Sequence, residues 1–311
     1  MSGREDHRDD VLLAARGLGR RFGHRMALAD VDITLHRGEV LGFLGLNGAG
    51  KSTTMQILAG ALVADTGTVE VCGHDLARHG RAARRALGYL PQTPPLYHDM
   101  LVDEYLALCA RLHGVPRREL AAAVGHARRR CGLDEVGARL IRHLSRGYQQ
   151  RVGIAQAIIH DPAVLILDEP TNGLDPAQIR DVRTLIGALA TERAVMVSTH
   201  VLGEIRLLAT RIAILHQGRI VHDADNRASG GRVRVRFAHP PPPAALRGLA
   251  GVHAAEPLAD GGFVIDLDDG AAARAAFADA ASAAGWGLVE LTSDYDALEH
   301  LFMRLTAGRA A

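Results

Sequence analysis

The sequence predicts an α/β fold with a mostly parallel sheet, because short β-branched runs alternate with helical patterns along residues 11–225. The runs Val40–Leu44 and Val164–Leu167 are apolar or glycine throughout, as strands covered on both faces of a parallel sheet tend to be. Further strands are predicted at Val195–Ser198 and Ile212–Leu215, with helices at Lys51–Ala59, Ile179–Leu189 and Leu202–Leu208.

Two parts of the chain depart from this alternation. Between about residues 93 and 161 helical spacing dominates, which predicts a helical insert in the α/β domain. The period-2 run Arg232–Phe237 predicts a strand of a separate domain. We therefore expect a first domain over residues 1–228 and a small α+β accessory domain over residues 229–311, which packs or dimerises or, as an alternative, binds a regulatory ligand. The predicted helices of the insert are Val102–Leu112, Arg117–Cys131 and Arg146–His160. The accessory domain has further predicted strands at Phe263–Leu267 and Leu288–Leu291 and predicted helices at Ala271–Ala284 and Asp296–Leu305.

Composition limits the kinds of partner and compartment. The charges nearly balance, with 36 Lys and Arg against 35 Asp and Glu, so no strong overall field favours nucleic acid. The three cysteines, Cys72, Cys109 and Cys131, are too widely spaced for a metal-binding pair and fit a reducing compartment. No apolar run approaches the ~18 residues of a membrane span. We expect a cytoplasmic chain whose membrane role is peripheral, through a partner.

A glycine-rich loop follows the first apolar run and contains Lys51, the only lysine of the chain. Its sequence fits G-x-x-x-x-G-K-[ST], the phosphate loop, in which backbone N–H groups and a helix N-terminus surround an anion. Lys51 can reach the β- and γ-phosphates of a nucleotide, and the Ser52 hydroxyl can bind Mg²⁺. The predicted nucleotide-binding residues of this loop are Gly45, Asn47, Gly48, Gly50, Lys51, Ser52 and Thr53.

Two adjacent acids follow the apolar run Val164–Leu167. Asp168 is placed to hold Mg²⁺, and Glu169 is the candidate general base for an attacking water. In open α/β sheets such acids lie at the same strand edge as a phosphate loop. A helix cap or a turn is the alternative role for the two carboxylates.

Several motifs in one order resemble the ATPase subunits of ABC transporters over about residues 11–225. The resemblance implies a P-loop NTPase cassette, and within the family the sequence is similar to the gliding-motility type, related to multidrug and lipid exporters. The residues that carry it are Leu144–Arg151, Asp168–Thr171 and Gly173–Pro176, and for the subfamily Gly88–Pro91, Pro95–Tyr97, Ser145–Tyr148 and Leu298–Phe302.

The resemblance assigns roles to four more residues. Phe22 corresponds to the aromatic residue that stacks on adenine, and Gln92 to the glutamine that contacts Mg²⁺ and senses the membrane partner. His200 corresponds to the switch histidine at the γ-phosphate, which makes it a catalytic candidate with Lys51 and Glu169. Asp175 corresponds to the aspartate of the loop that crosses to a second subunit.

The signature motif departs from the usual Leu-Ser-Gly-Gly-Gln, since Arg146 replaces the first glycine and Tyr148 the glutamine. Ser145 and Gly147 remain, and both can face a γ-phosphate at a helix N-terminus. The resemblance implies that they cap the nucleotide of a second ATP-binding subunit in a head-to-tail homodimer. Tyr148 puts in doubt only the polar contact that the usual glutamine makes.

The resemblance implies a function as the ATP-binding and ATP-hydrolysing subunit of an export-type transporter. The implied cofactors are ATP and Mg²⁺, the partner is an integral membrane permease, and the location is the inner face of the cell membrane. One alternative is a soluble ABC ATPase acting on ribosomes or DNA. Another is a nucleotide sensor that binds without hydrolysis.

Overall fold

The computed structural model describes residues 10–226, 232–258, 260–268 and 270–293. The chain divides into two compact units, Met1–Ala224 and Asp225–Ala311, called here the N-terminal and C-terminal units. The domain boundary predicted at residue 228, the predicted helix Asp296–Leu305 and the motif Leu298–Phe302 lie outside the described residues.

The N-terminal unit contains ten strands and seven α-helices among its described residues. In chain order they are β1 (Val11–Phe22), β2 (Arg25–His36), β3 (Val40–Leu44), α1 (Lys51–Leu58), β4 (Thr66–Val71), β5 (His74–Asp75), α2 (Gly80–Arg85), β6 (Leu87–Leu90), α3 (Val102–Leu112), α4 (Leu120–Cys131), α5 (Arg146–Ile158), β7 (Val164–Leu167), α6 (Pro176–Ala190), β8 (Ala194–Thr199), α7 (Leu202–Arg206), β9 (Arg211–His216) and β10 (Arg219–Asp225).

The central sheet has the order β10-β9-β3-β8-β7-β6, and β3 pairs in parallel with both β8 and β9. The pairs β7–β8 and β6–β7 are parallel as well, which confirms the predicted α/β fold with a mostly parallel sheet. Because β3, β6, β7 and β8 run in one direction, the segments after them begin at one edge of the sheet. This edge carries the phosphate loop, Gln92, Asp168 and His200.

A second sheet, with the order β2-β1-β4-β5, is antiparallel and was not predicted from the sequence. Its buried side chains, among them Leu13, Leu28 and Leu35, join Phe43 and Met55 of the central layer in one hydrophobic core. Strands β1 and β2 are joined by a two-residue turn that brings Phe22 opposite Arg25. Phe22 and Arg25 therefore lie next to each other at the end of this hairpin.

The helical insert lies between β6 and β7 and contains α3, α4 and α5. A two-oxygen contact joins α4 to α3, with Arg128 Nη1 donating to Asp103 Oδ1 and Oδ2 at 3.1 and 2.8 Å. The rings of His113 and His160 stack at 3.7 Å between centroids. His160 Nε2 donates to Leu87 O at 2.9 Å, so the turn after α5 is attached to the first residue of β6.

The C-terminal unit has a more specific arrangement than the predicted α+β domain. Its sheet has the order β12-β13-β11-β14 with antiparallel neighbours, and with the two helices this is the split βαβ arrangement of ferredoxin-like folds. Buried Val233, Ile265 and Phe277 belong to its core. The elements are β11 (Arg232–Phe237), α8 (Pro243–Arg247), β12 (Val252–Pro257), β13 (Phe263–Leu267), α9 (Ala271–Ala283) and β14 (Leu288–Ser293).

A glycine allows α5 to lie close to β6. A Cβ added at Gly88 would lie 2.1 Å from Ala157 O, so we expect Gly88→Ala to lower the free energy of unfolding by about 1–3 kcal/mol. The matched control is Gly187→Ala on α6, where an added Cβ meets nothing within 4 Å. That change should raise stability by about 0.5–1 kcal/mol. Urea denaturation measures both, and equal effects of the two variants would contradict the close contact.

Acid should weaken the N-terminal unit through His160. Burial lowers the pKa of His160 to about 4, against 6.5 for an unfolded histidine. Between these values the unfolded chain binds more protons than the folded one, so this contribution to stability is present above pH 6.5 and is lost as the pH falls towards 4. We expect His160→Gln to flatten the pH dependence of the urea midpoint in this window. Equal slopes for wild type and His160→Gln would refute this account.

Candidate functional site

The phosphate loop, Gly45–Ser52, joins β3 to α1 and depends on glycine at two of its positions. Gly48 has φ +79° and Gly50 has φ +113°, in the left-handed region that L side chains rarely adopt. A Cβ at Gly50 would also lie 2.7 Å from Ala27 O in β2. The loop therefore curls tightly against the hairpin, in the conformation that lets successive backbone N–H groups face one anion.

Lys51 points into the protein rather than into solvent, with only 6% of its surface exposed. Its Nζ donates to Gly45 O at 2.7 Å and lies 3.5 Å from Glu169 Oε1. A buried ammonium needs partners, because burial without them would strongly disfavour its charge. The only lysine of the chain is therefore held between the phosphate loop and Glu169, which follows β7.

Ser198 connects the two acids after β7. Its hydroxyl accepts from Glu169 N at 2.8 Å and donates to Asp168 Oδ1 at 2.5 Å. Glu169 has φ +50°, an uncommon conformation for a residue with a side chain, which costs energy unless its surroundings hold it. His200 Nδ1 lies 2.9 Å from Glu169 Oε2. Glu169 thus contacts Lys51 through one oxygen and His200 through the other.

The hydroxyl of Tyr89, in β6, is buried and has no hydrogen-bond partner within the described part of the chain. Burial, and to a smaller extent the charge of Asp168, raises the pKa of Tyr89 to about 12. The phenol therefore stays protonated near neutral pH and keeps an unused O–H donor close to the acids.

A cleft of about 600 Å³ brings together most of the predicted nucleotide-binding residues. Phe22 lies on its wall with 48% of its surface exposed, and the Arg20 guanidinium lies 4.9 Å from the centre of its ring. Gly45, Asp168 and His200 do not line the cleft. Gly45 O accepts from Lys51 and His200 contacts Glu169, and both partners line it. Asp168 directly precedes Glu169 in the chain. The lining residues are Phe22, Arg25, Ala27, Leu46, Asn47, Gly48, Gly50, Lys51, Ser52, Thr53, Gln92 and Glu169.

Ser145 and Gly147 do not line this cleft. Ser145 caps the N-terminus of α5, where its hydroxyl accepts from Tyr148 N at 3.4 Å. Gly147 is buried, and a Cβ there would lie 2.7 Å from Gln178 Cδ in α6. Asp175 caps α6 by accepting from the backbone N–H groups of residues 177 and 178, at 3.0 and 2.9 Å. The signature motif is thus packed against the start of α6 and away from the phosphates that Lys51 could bind.

Arg25 and Ser198 are among the residues of this region that were not predicted as site residues from the sequence. Arg25 lines the cleft, but a single arginine after a turn carries no sequence signal. Ser198 was predicted only as part of a strand, and its bridging role depends on a contact with residues 30 and 29 positions earlier in the chain.

Comparison with known proteins gives consistent results. Residues 28–172 match the family model described as ABC transporter. The bacitracin transport ATP-binding protein BcrA of Bacillus licheniformis is 33% identical over 215 residues, which cover 68% of this chain and 69% of that protein. The chain belongs to the ABC transporter family. The daunorubicin resistance ATP-binding protein DrrA3 of Streptomyces coeruleorubidus is 37% identical, covering 68% of this chain and 67% of its own length.

Solved structures of ABC transporter subunits share the fold. An ATP-binding subunit of an ABC transporter aligns with a TM-score of 0.62 at 31% identity, covering 69% of this chain and 90% of that one. The cbiO1 protein of Clostridium perfringens, part of the complex cbiONQ, gives a TM-score of 0.63 at 27% identity, covering 70% of this chain and 90% of its own. This chain is accordingly an ATP-binding subunit of the ABC transporter type, a family that hydrolyses ATP to drive transport.

In residues 10–226, 232–258, 260–268 and 270–293, no helix is both long and apolar enough to cross a bilayer.

The bridge formed by Ser198 is open to a direct test. Ser198→Ala leaves Glu169 N without its acceptor and Asp168 without its donor, so we expect the ATPase rate to fall about tenfold or more, since small misplacements of catalytic groups are costly. Loss of two buried hydrogen bonds should also lower stability by about 1–3 kcal/mol. Steady-state ATPase assays and urea denaturation measure the two effects. The control is Ser282→Ala on the exposed face of α9; a Ser198→Ala rate equal to wild type would show that the bridge is dispensable.

Proposed function

We propose that this chain is a peripheral subunit on the inner face of the cell membrane, where a head-to-tail pair of copies hydrolyses Mg·ATP and powers a separate integral membrane permease. The single observation that supports it best is the buried Lys51 ammonium, held beside Glu169 at the mouth of a tight phosphate loop. Export is supported by the relatives, whose names include bacitracin transport, daunorubicin resistance and Nod factor export.

ATP would lie along the cleft, between Phe22 and the phosphate loop. The exposed face of Phe22 would stack on the adenine, and the backbone N–H groups of the phosphate loop would bind the β- and γ-phosphates. Lys51 would exchange part of its present contacts for phosphate oxygens. Phosphate oxygens carry more negative charge than the Gly45 carbonyl, so this exchange favours ATP binding. It would also weaken the 3.5 Å contact between Lys51 Nζ and Glu169 Oε1.

The predicted magnesium ligands suit Mg²⁺, which prefers oxygen donors and keeps several waters. Ser52 offers a hydroxyl, Gln92 an amide oxygen and Asp168 a carboxylate. Ser198 occupies only one oxygen of Asp168, so the second is available to the ion or to one of its waters. Bound Mg²⁺ would neutralise charge on the phosphates; the remaining steps belong to the side chains.

Glu169 is the candidate base that takes a proton from the attacking water. Its backbone is fixed by Ser198 and its Oε2 by His200 Nδ1, so the carboxylate has a defined direction. His200 is 44% exposed at its side chain, so its ring would be accessible to a γ-phosphate while Nδ1 keeps its contact with Glu169 Oε2. Lys51 and His200 would then stabilise the charge of the transferring phosphoryl group.

A second copy would complete each site. Ser145 and Gly147 lie outside the chain's own cleft, at the N-terminus of a 13-residue helix whose dipole favours an anion. We assign them to the γ-phosphate held by the partner copy, with Asp175 on the loop beside that boundary. ATP would then favour the closed pair, and loss of the γ-phosphate would open it. Gln92 lies between β6 and the helical insert. The insert is the part of the chain that we propose transmits the movement to the permease.

The test is the variant Glu169→Gln. Removing the base should lower the ATPase rate ~10²–10⁴-fold while ATP binding is kept. With Mg·ATP the variant should also accumulate as a dimer on size-exclusion chromatography. The matched control is Glu135→Gln, at an exposed position of the insert. Lys51→Ala should instead weaken ATP binding itself.

Each part of the proposal can fail separately in this experiment. Glu169→Gln hydrolysing ATP at the wild-type rate would reject the base. A monomer with bound Mg·ATP would reject the paired arrangement. The ATP-bound variant is also the form in which to seek the partner: pull-down from detergent-solubilised membranes should recover an integral membrane protein, whereas recovery of ribosomes or DNA would favour the soluble alternative.

A further inference from the structure

Arg25 lies on the wall of the nucleotide cleft without belonging to any of the predicted motifs. It begins β2 and pairs with Phe22 across the turn formed by Gly23 and His24. Residues directly opposite each other in an antiparallel pair have neighbouring side chains. Arg25 therefore stands beside the ring that is proposed to stack on adenine.

The guanidinium of Arg25 is bonded to the phosphate loop. Its Nη2 donates to Gly48 O at 2.8 Å, across 23 residues of sequence. A Cβ at Gly48 would lie only 3.2 Å from the same nitrogen, and Gly48 has φ +79°. Glycine at this position thus provides both the backbone conformation and the space for the arginine.

This contact joins the two parts of the cleft that receive different parts of a nucleotide. Phe22 lies at the tip of the β1–β2 hairpin, which is a two-stranded projection with an exposed end. Arg20 lies over its ring, and Asp65 accepts from Arg20 Nη1 at 2.6 Å, so the ring is held from the side of β4. Arg25 supplies the corresponding hold from the side of the phosphate loop.

We infer that Arg25 is a positioning residue of the nucleotide site: through its hydrogen bond to Gly48 O it fixes the distance between the Phe22 ring and the phosphate loop. The inference rests on the proposed nucleotide site. The Arg25 guanidinium donates to a carbonyl of the phosphate loop, whereas the phosphates are bound by the N–H groups of such loops. Arg25 should therefore affect the affinity only of ligands that contact both the Phe22 ring and the phosphate loop.

The experiment compares a ligand that spans the cleft with one that does not. Mg·ATP uses the ring and the loop, whereas Mg·tripolyphosphate uses the loop alone. For Arg25→Ala we expect the Kd of Mg·ATP to rise about tenfold, the range of a lost base–aromatic stack, and the Kd of Mg·tripolyphosphate to change less than about twofold. Isothermal titration calorimetry on the full chain measures both.

A double-mutant cycle tests whether Arg25 acts through Phe22. If it does, Phe22→Ala/Arg25→Ala should bind Mg·ATP no more weakly than Phe22→Ala alone, since coupled residues are not additive. Arg21→Ala is the charge-matched control: it removes an exposed arginine from the same hairpin whose side chain does not line the cleft, and should leave both affinities unchanged.

Three results would overturn the inference. Arg25→Ala with wild-type affinity for Mg·ATP would show that the contact is dispensable. Equal weakening of Mg·ATP and Mg·tripolyphosphate would make Arg25 a direct phosphate ligand, and additive losses in the cycle would separate it from Phe22. A different result would contradict the proposed function: wild-type protein that binds neither Mg·ATP nor Mg·tripolyphosphate.

Discussion

A buried ammonium group joins the two halves of the candidate site. Lys51 Nζ is held by a carbonyl of the phosphate loop on one side and faces the Glu169 carboxylate, 3.5 Å away, on the other. Neither contact equals the attraction of a triphosphate, so bound phosphate oxygens would satisfy the Lys51 charge better than these partners do. An arginine could not take this place, because its planar fork of five donors needs more space and more partners than the Gly45 and Leu46 carbonyls and the Glu169 carboxylate provide.

The sheet explains why these groups meet. Parallel strands place the segments after β3, β6, β7 and β8 at one edge, and register pairs Leu44 with Thr199 and Leu90 with Leu167. The phosphate loop, Gln92, the acids and His200 are thus the next residues of neighbouring strands. Residues far apart in the chain become neighbours through backbone pairing alone, and side chains such as Ser198 then refine their positions.

The sequence predicted the central layer well because its strands are continuously apolar and its phosphate loop is a dense local motif. Val40–Leu44 and Val164–Leu167 have the predicted bounds, as does the helix Val102–Leu112. The antiparallel sheet was missed because β1 is interrupted by glycines and arginines, and its register shifts between Ala15 and Leu18. Irregular strands of this kind lack the clean period of two that sequence reasoning needs.

The site was harder to predict where it depends on contacts between distant segments. The motif residues can be read one by one, but Arg25 and Ser198 gain their roles from a hydrogen bond across 23 residues and two across about 30. The roles of Ser145, Gly147 and Asp175 stay predictions, because in one chain they serve as helix caps and packing positions.

The burial of Lys51 has a practical consequence. With one lysine in the sequence and 6% of it exposed, the folded chain offers solvent almost no ε-amine. Acylating reagents and amine cross-linkers would therefore modify the ε-amine only when Lys51 becomes exposed. The rate of lysine acylation would therefore report how often this one position becomes exposed, without any engineered label.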